Sequence, residues 1–253
     1  MHPTTEPRTG AAAGRALPEI SVIVPCFNEV ENLEPLVAEI HEVFDALGPP
    51  WELVLVDDGS DDGSWERLQA LAAADPALVP VGLARRCGQS AALDTGFRHA
   101  RGRRFVTLDA DLQNDPHDAP RLLALLETGE AAMVSGRRAQ RRDTARRRWA
   151  SRVANTIRRA WLDDDIHDVG CSLKVYRREA LARVKLYTGL HRFLAALVKL
   201  EGYRVAETAV HHRPRRHGTS KYNIRNRARV ALEDLFAVRW MQRRALRYQV
   251  KTT

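Results

Sequence analysis

The chain has 253 residues, enough to bury one sizeable hydrophobic core, and its formal net charge at pH 7 is +8. This charge indicates a polyanionic partner, which could be nucleic acid, anionic lipid headgroups or a phosphorylated substrate. No run approaches the roughly 18 consecutive apolar residues of a membrane-spanning helix, and the polar N terminus lacks the apolar core of a secretory signal, so we expect neither.

Short apolar runs rich in β-branched residues alternate with segments of helical periodicity from residue 20 onward. The predicted strands are 20–25, 51–58, 78–84, 103–111 and 131–136. The predicted helices cover Val30 to Leu47, the segment after the turn GSDDGS, the segment through Ala91–Ala100 and about 116–127. This β-α order predicts an α/β fold with a mainly parallel sheet that is covered by helices on both faces.

The second half of the chain is less regular. It predicts a basic helix at 143–162, a strand and short helix at 171–178, a helix at 189–201, a strand at 203–212, a charged loop at 213–222 and an amphipathic helix at about 223–247. We expect residues 1–17 to form a disordered tail, because they are polar and interrupted by proline and glycine. Three widely spaced cysteines fit neither a zinc site nor a disulfide framework, which favours a reducing cytoplasm.

Polar residues follow almost every predicted strand. In parallel sheets of this kind, ligands bind beyond the carboxyl ends of the strands. We therefore expect a binding site at that edge of the sheet. The segments that the sequence places there are Pro25–Glu29, Asp57–Ser60, Arg85–Gln89, Asp109–Gln113 and Gly136–Arg138.

Two carboxylates separated by one small residue, Asp109 and Asp111, end the fourth predicted strand. Such a pair can bind a hard divalent cation and leave its other positions for substrate phosphates and water, so Mg²⁺ or Mn²⁺ fits. The amide of Gln113 could add a neutral oxygen ligand. The alternative interpretation is a solvated acidic turn, or a helix cap formed by Asp115 ahead of Pro116.

Four motifs in this order, VIVPCFNEVENL, VDDGSDDGS, RRCGQSAALDTG and LDADLQNDP, resemble those of the family 2 glycosyltransferases, which have the GT-A fold. The glutamine of DADLQ and the later segment RRHGTSKY resemble the dolichol-phosphate mannosyltransferase branch and its bacterial polyprenyl-phosphate relatives. The resemblance extends from about residue 20 to about residue 240. It implies a GT-A catalytic domain at 18–222, a Rossmann-like mainly parallel sheet flanked by helices, followed by a C-terminal amphipathic segment at 223–253.

The resemblance also implies a set of residues that bind the nucleotide sugar. These are Pro25, Phe27, Asn28, Glu29, Asp57, Asp58, Gln89, Asp109, Ala110, Arg215, Ser220 and Lys221. Carboxylates at strand ends suit a base N–H or ribose hydroxyls, and the loop with Arg215 could close over the donor diphosphate. Alternatively, Asn28 and Asp58 shape their turns, Gln89 only caps its helix, and the loop is an ordinary exposed turn.

The resemblance also implies that basic residues after the fifth predicted strand bind the acceptor. Arg138 matches the family arginine that contacts phosphate, and Arg148 or Arg152 could add guanidinium forks. Asp168 occupies the stretch where the family places acceptor-side residues, so it is a catalytic-site candidate that positions groups; a turn or capping role is the alternative. The resemblance therefore implies that Asp111, Arg138 and Asp168 take part in catalysis.

The expected activity is metal-dependent transfer of a hexose-type sugar, with inversion, from a UDP- or GDP-sugar to a polyprenyl phosphate such as undecaprenyl phosphate, for cell-envelope biogenesis. A phosphate monoester with a second pKa near 6 is already largely ionised, so this acceptor needs no strong base. The first alternative is a family 2 enzyme acting on a hydroxyl acceptor. The second is a nucleic-acid-binding protein; it is disfavoured because the strand-end carboxylates would repel a phosphate backbone.

A polyprenyl acceptor would require contact with a membrane. The basic helix with Trp149 and Trp161, and the final helix with Trp240, could lie at an anionic membrane surface, although packing on the domain competes for their apolar faces. The sequence ends at Thr253 without the spanning helices of many bacterial relatives. We expect a peripheral protein on the cytoplasmic face of the membrane, or one that has a separate membrane-protein partner.

Overall fold

The computed structural model describes residues 17–138, 156, 158, 159, 161, 162, 165–215 and 224–246, with side chains from residue 232 onward in the last range. Its strands are β1 Ile20–Cys26, β2 Trp51–Asp57, β3 Leu78–Gly82, β4 Arg104–Thr107, β5 Met133–Arg138, β6 Lys174–Arg177 and β7 Val205–Val210. Its α-helices are α1 Val30–Leu47, α2 Ser64–Ala74, α3 Gln89–His99, α4 Ala119–Glu127, α5 Arg178–Leu181, α6 Leu194–Leu200 and α7 Ile224–Arg244. Turns of 3₁₀ helix cover Pro116–Asp118 and Leu190–Phe193.

The strands form one seven-stranded sheet in the order β3-β2-β1-β4-β6-β5-β7. Every pairing is parallel except those of β6, which runs antiparallel to β4 and β5. The prediction of a mainly parallel α/β sheet is therefore confirmed. Because β6 runs the other way, the chain that leads into it, 168–173, lies at the same edge as the carboxyl ends of the parallel strands. That edge is where the binding site was predicted.

Side-chain alternation along the central strands divides the core between the two faces of the sheet. Val22 and Val24 of β1 face a cluster that includes apolar residues of α1 and α4. Ile23 faces the other cluster, together with residues of α3 and α6. The three β1 side chains are fully buried, as expected for a central strand that is covered on both faces.

Several predicted elements differ in detail from the structure, including the strands predicted at 131–136 and 203–212, which are observed at Met133–Arg138 and Val205–Val210. The fourth strand was predicted to reach residue 111 but ends at Thr107, because the chain leaves the sheet before the acidic motif. The predicted helices at 116–127 and 189–201 both begin as 3₁₀ turns. The Asp115 side chain accepts a hydrogen bond from the His117 N–H at 3.1 Å, so the predicted capping role of Asp115 is present beside the acidic pair.

Helix α7 packs on the domain through one face and exposes another. Leu235 and Val238 are buried in a third cluster with Leu162. Phe236 and Trp240 are 59% and 63% exposed. The described residues within the predicted basic helix are helical: 156, 158, 159, 161 and 162. The rest of that segment, and residues 1–16 of the tail predicted at 1–17, lie outside the described residues. No helix in the described parts of the chain has the length and apolar character needed to cross a bilayer.

Candidate active site

Two cavities open at the carboxyl edge of the sheet and share one wall. The larger has a volume of about 540 Å³ and the smaller about 140 Å³. Residues that line both include Gln89, at the first turn of α3, and Asp109, two residues after β4. The Gln89 amide donates to the Asp109 carboxylate across 2.8 Å. This hydrogen-bonded pair therefore forms part of the wall between the two cavities.

The acidic motif lies at that wall. Asp109 and Asp111 both line the smaller cavity, separated by buried Ala110, and the tight turn after them places Leu112 at a positive φ of 59°. Burial, and then repulsion from Asp111, raises the pKa of Asp109 from 3.8 to about 6. A cation between two such carboxylates would offset both effects. The pair therefore fits a divalent metal ion.

The described residues contain no cluster of three or more histidine, cysteine, aspartate or glutamate side chains that could hold a metal ion by themselves. An ion at the acidic pair would therefore take its remaining ligands from outside that set, as Mg²⁺ does when it binds substrate phosphates. Asp111 instead contacts two protein groups here, the backbone N–H of Gln113 at 3.2 Å and the guanidinium of Arg215 at 2.6 Å.

Gln113 does not face either cavity. Its amide nitrogen donates to the Arg213 carbonyl at 3.4 Å, and the residue is absent from the lining of both cavities. Gln113 contacts the acidic pair through its backbone N–H, which donates to Asp111. Its role as a metal ligand stays a prediction.

Most of the predicted nucleotide-binding residues do line the smaller cavity. Phe27 carries the guanidinium of Arg86 over its ring, with 4.3 Å from Arg86 Cζ to the ring centroid. The other predicted nucleotide-binding residues that line this cavity are Pro25, Glu29, Asp58, Gln89, Asp109, Ala110 and Arg215, and Asp111, predicted as a metal ligand, lines it too. These side chains come from five separate segments of the chain. The fold thus brings together what the sequence could only list.

Asp58 anchors a loop and also lines the smaller cavity. Its carboxylate accepts hydrogen bonds from the backbone N–H groups of Cys87, at 2.7 Å, and Gly88, at 2.8 Å. It therefore fixes the loop before α3 while its residue lines the smaller cavity. The turn-shaping alternative and the binding role are compatible at this position.

Two predicted nucleotide residues, Asp57 and Asn28, are instead used within turns. Asp57 is 2% exposed and accepts from the backbone N–H of Ser60 at 3.0 Å and from its hydroxyl at 2.5 Å. Asn28 has a positive φ of 54°, and its backbone N–H donates to the Ser60 hydroxyl at 2.8 Å. Neither residue lines either of the two cavities. The geometry therefore favours the turn interpretation for Asn28, and it indicates a turn role for Asp57, for which none was predicted.

Arg138 and Asp168, which were predicted as separate catalytic candidates, form one ion pair. Nε and one terminal nitrogen of Arg138 donate to the two oxygens of Asp168, each at 2.7 Å. The backbone N–H of Asp168 donates to Glu207 at 3.1 Å. This two-pronged geometry fixes the plane of the guanidinium at the exit of β5. Their catalytic roles stay predictions, as do those of Arg148, Arg152, Ser220 and Lys221, which lie outside the described residues.

Several residues that line the larger cavity, and the contacts that they make, were not predicted from the sequence. Ser90 hydrogen-bonds to His191 at 2.8 Å, and Arg192 forms an ion pair with Asp234 of α7 at 2.9 Å. Gly189, at φ 88°, lies so close to Asp234 that a Cβ at this position would come within 2.5 Å of its carboxylate. These contacts join residues about 40 to 100 positions apart, for which the sequence carries no local signal.

Lys174, the first residue of β6, also lines the larger cavity and is only 5% exposed. A signal for it does exist in the sequence: a lysine inside the apolar strand segment SLKVY is unusual, because lysine is rarely fully buried. Burial lowers the pKa of its ammonium group, against the attraction of nearby acids.

The profile of the family described as "Glycosyl transferase family 2" matches residues 21–185. A dodecaprenyl-phosphate galacturonate synthase from Rhizobium johnstonii is 39% identical over 247 residues, which cover 96% of this chain and 73% of that protein. An undecaprenyl-phosphate 4-deoxy-4-formamido-L-arabinose transferase from Salmonella paratyphi B is 36% identical over 207 residues, or 81% of this chain. The match spans 63% of that transferase, which is less than two thirds of its length.

Two solved glycosyltransferase structures are similar to this chain in fold. A mannosyltransferase from Pyrobaculum calidifontis, in complex with GDP-mannose and Mn²⁺, is 25% identical, with a TM-score of 0.57 over 77% of this chain and 55% of that one. A glucosyl-3-phosphoglycerate synthase from Mycobacterium tuberculosis, with Mn²⁺, UDP-glucose and phosphoglyceric acid, is 19% identical, with a TM-score of 0.64 over 89% of this chain and 79% of that one.

Proposed function

Because the chain belongs to glycosyl transferase family 2, we propose that it transfers a sugar from a nucleotide diphosphate sugar to a polyprenyl phosphate, with the help of Mg²⁺ or Mn²⁺. The observation that carries this proposal is the acidic pair, Asp109 and Asp111, at the wall between two cavities. The family supports the class of reaction. The two polyprenyl-phosphate sugar transferases among its relatives support the acceptor.

On the donor side, the smaller cavity would hold the nucleotide diphosphate. Asp109 and Asp111 would hold the cation, which when bound neutralises charge on the diphosphate. Arg215 reaches the same cavity and, once released from Asp111, can donate to a phosphate oxygen. Either a UDP- or a GDP-sugar is compatible with a pocket that has Phe27 and Arg86 on one wall.

On the acceptor side, the nucleophile would be an oxygen of the polyprenyl phosphate. It attacks the anomeric carbon as the bond from that carbon to the donor diphosphate breaks, so the nucleoside diphosphate leaves with the electron pair and the configuration inverts. The acceptor oxygen is already ionised near neutral pH, so no side chain has to remove a proton. Arg138 would orient the acceptor phosphate, and Asp168 would hold Arg138 in place.

We also propose a peripheral position on the cytoplasmic face of the membrane, and the exposed face of α7 supports the membrane contact. Trp161 packs edge-on against Phe236, with 5.3 Å between ring centroids, and Trp240 is exposed on the same helix. The last turn of α7 carries Arg243 and Arg244, which suit anionic headgroups. The alternative is that a membrane-protein partner covers this face of α7. Binding of the purified chain to lipid vesicles would favour the membrane surface over the protein partner.

The test is a donor panel of UDP- and GDP-sugars, with undecaprenyl phosphate as acceptor and with or without Mn²⁺ or Mg²⁺. We expect a lipid-linked sugar with one donor, only in the presence of the cation, and a loss of at least a hundredfold in Asp111→Ala. Asp115→Ala is the matched control, since Asp115 lies in the same segment but lines neither cavity. Product that forms without a cation and is unaffected by Asp111→Ala would remove the metal from the proposal.

The nature of the acceptor has its own test. A hydroxyl acceptor would need a carboxylate base, so Asp168→Asn should then abolish turnover. A phosphate acceptor needs only an oriented Arg138, so the same substitution should weaken turnover without abolishing it. The measurement is the rate of sugar transfer by both proteins at saturating donor.

A further inference from the structure

The larger cavity contains a buried ammonium group that the predicted chemistry does not use. Lys174 begins β6, in register with Thr107 at the end of β4 and with Ser135 of β5. Because β6 is antiparallel, its first residue lies at the edge of the sheet where the parallel strands end. The side chain lines the cavity on the far side of Asp109 from the smaller cavity.

The hydrogen bonding of this ammonium group is incomplete. An ammonium has three N–H donors, and among the described residues one acceptor, the Cys171 carbonyl, reaches Lys174 Nζ. Asp109 and Asp168 attract it electrostatically, but neither forms an ion pair with it. Burial of a charge that is not paired in this way is costly and disfavours the charged form, so an anionic ligand that completes its hydrogen bonds would stabilise the ammonium group.

The other cations around the cavity are already committed. Arg138, beside Gly170 at the cavity edge, gives two hydrogen bonds to Asp168, and Arg192 is paired with Asp234. Arg86 lies over an aromatic ring. Among the described cations that line the cavity, Lys174 is thus the one that combines near-complete burial with no ion pair to a carboxylate.

We propose that Lys174 is the anion-binding residue of the larger cavity, and that it receives an anionic oxygen of a substrate. This inference rests on the proposed function for the identity of that substrate. Two sources supply the same chemistry: a carboxylate on the transferred sugar, as in a uronic acid, and the phosphate of the lipid acceptor. Both would lie beyond Asp109, on the side opposite the nucleotide.

A purely structural role is the competing account, since the bond to Cys171 also fixes the turn before β6. A structural lysine would affect the stability of the fold, but it would not distinguish anionic from neutral ligands. The test therefore needs a readout of charge recognition. Lys174→Met removes the charge and keeps most of the volume, Lys174→Arg keeps the charge, and Lys199→Met is a control whose lysine lies in α6 outside both cavities.

The first measurement is calorimetric titration of the whole chain with D-galacturonate, D-galactose and inorganic phosphate. We expect galacturonate or phosphate to bind the wild type, at least tenfold weaker binding to Lys174→Met, substantial retention in Lys174→Arg and no change in Lys199→Met. Thermal unfolding identifies a variant that does not fold, in which case Lys174→Gln replaces it. Equal binding to wild type and Lys174→Met, or no binding of either anion to the wild type, overturns the proposal.

Kinetics then distinguish the two sources. If the anion belongs to the sugar, Lys174→Met raises KM for UDP-galacturonate and leaves that for UDP-galactose unchanged. If it belongs to the acceptor, the variant raises KM for undecaprenyl phosphate with every donor. Lys174-dependent anion binding in a wild-type protein that forms no lipid-linked product would keep this site and remove the transfer activity, so the two proposals fail separately.

Discussion

In the proposed mechanism Asp111 binds a metal ion, but in the structure its carboxylate is paired with Arg215. Replacing Arg215 should therefore change metal binding and donor use in opposite directions. The two side chains are 2.6 Å apart, and a second nitrogen of Arg215 lies 3.9 Å from Glu29. In the absence of donor, the guanidinium therefore competes with Mn²⁺ for the carboxylate. In the presence of donor, the same guanidinium is free to contact the diphosphate. Arg215→Ala should thus tighten binding of the metal alone and weaken use of the donor.

The structure sets the size of the first effect. The Arg215 side chain is 28% exposed and that of Asp111 is 11% exposed, so the pair lies between a surface ion pair, worth about 0–1 kcal/mol, and a buried charged hydrogen bond, worth about 1.5–3 kcal/mol. An intermediate value of about 1 kcal/mol corresponds to about a fivefold tighter Kd for Mn²⁺. Loss of the diphosphate contact, a charged hydrogen bond, corresponds to a fall in kcat/KM of about tenfold to a hundredfold.

The assay is titration of Mn²⁺ into the nucleotide-free chain, followed by steady-state kinetics with saturating acceptor. Arg213→Ala is the matched control, because Arg213 comes from the same segment but pairs with Glu39 and Asp115, outside the smaller cavity. An Arg215→Ala protein that binds Mn²⁺ as weakly as the wild type, or more weakly, would refute the competition. So would an equal gain in the Arg213→Ala control.

Asp58→Asn should weaken UDP or GDP binding about tenfold by calorimetry, because the loop before α3 loses charged hydrogen bonds; unchanged affinity would mean that the loop needs no such anchor. Native protein should react rapidly with a thiol reagent at one cysteine, the exposed Cys87, since burial raises the pKa of the Cys26 and Cys171 thiols; a second fast thiol would contradict this. Burial acts to lower the pKa of His41, but hydrogen bonds to two carboxylates outweigh it and raise the pKa. The stability that protonated His41 contributes is therefore present below about pH 6.5 and is lost as the pH rises further. The melting temperatures of wild type and His41→Gln should therefore converge between pH 6 and pH 9, and a constant gap would refute the pairing.

The elements of the fold were predictable because each depends on a local pattern. Short apolar runs rich in β-branched residues mark the central strands, and the spacing from Val30 to Leu47 marks α1 with the observed bounds. The direction of β6 was not predictable in the same way. It depends on the path of the chain between β5 and β6, and a strand sequence reads equally well in either direction.

In the candidate site, too, some features were predictable from a local pattern and others were not. Asp109 and Asp111 were predictable, because the carboxyl ends of parallel strands converge and the two acids come directly after one of them. The partnership of Arg138 with Asp168 was not, since 30 residues separate them and only the pairing of β5 with β6 brings them together. Asn28 was assigned to the nucleotide by resemblance, yet its hydrogen bonds depend on a turn with positive φ that resemblance alone does not describe.

The charge distribution across the shared wall connects these observations. The proposed transfer brings a phosphate dianion towards an anionic donor, so positive charge in the proposed acceptor cavity would lower their mutual repulsion. Arg138 supplies direction but little net charge, because Asp168 offsets it at 2.7 Å. Among the described residues that line the larger cavity, Lys174 is then the buried cation that forms no ion pair with a carboxylate, although Asp109 is close enough to attract it electrostatically. In this proposal Lys174 favours the approach of the anion and Arg138 fixes its orientation, so the two cations have different roles.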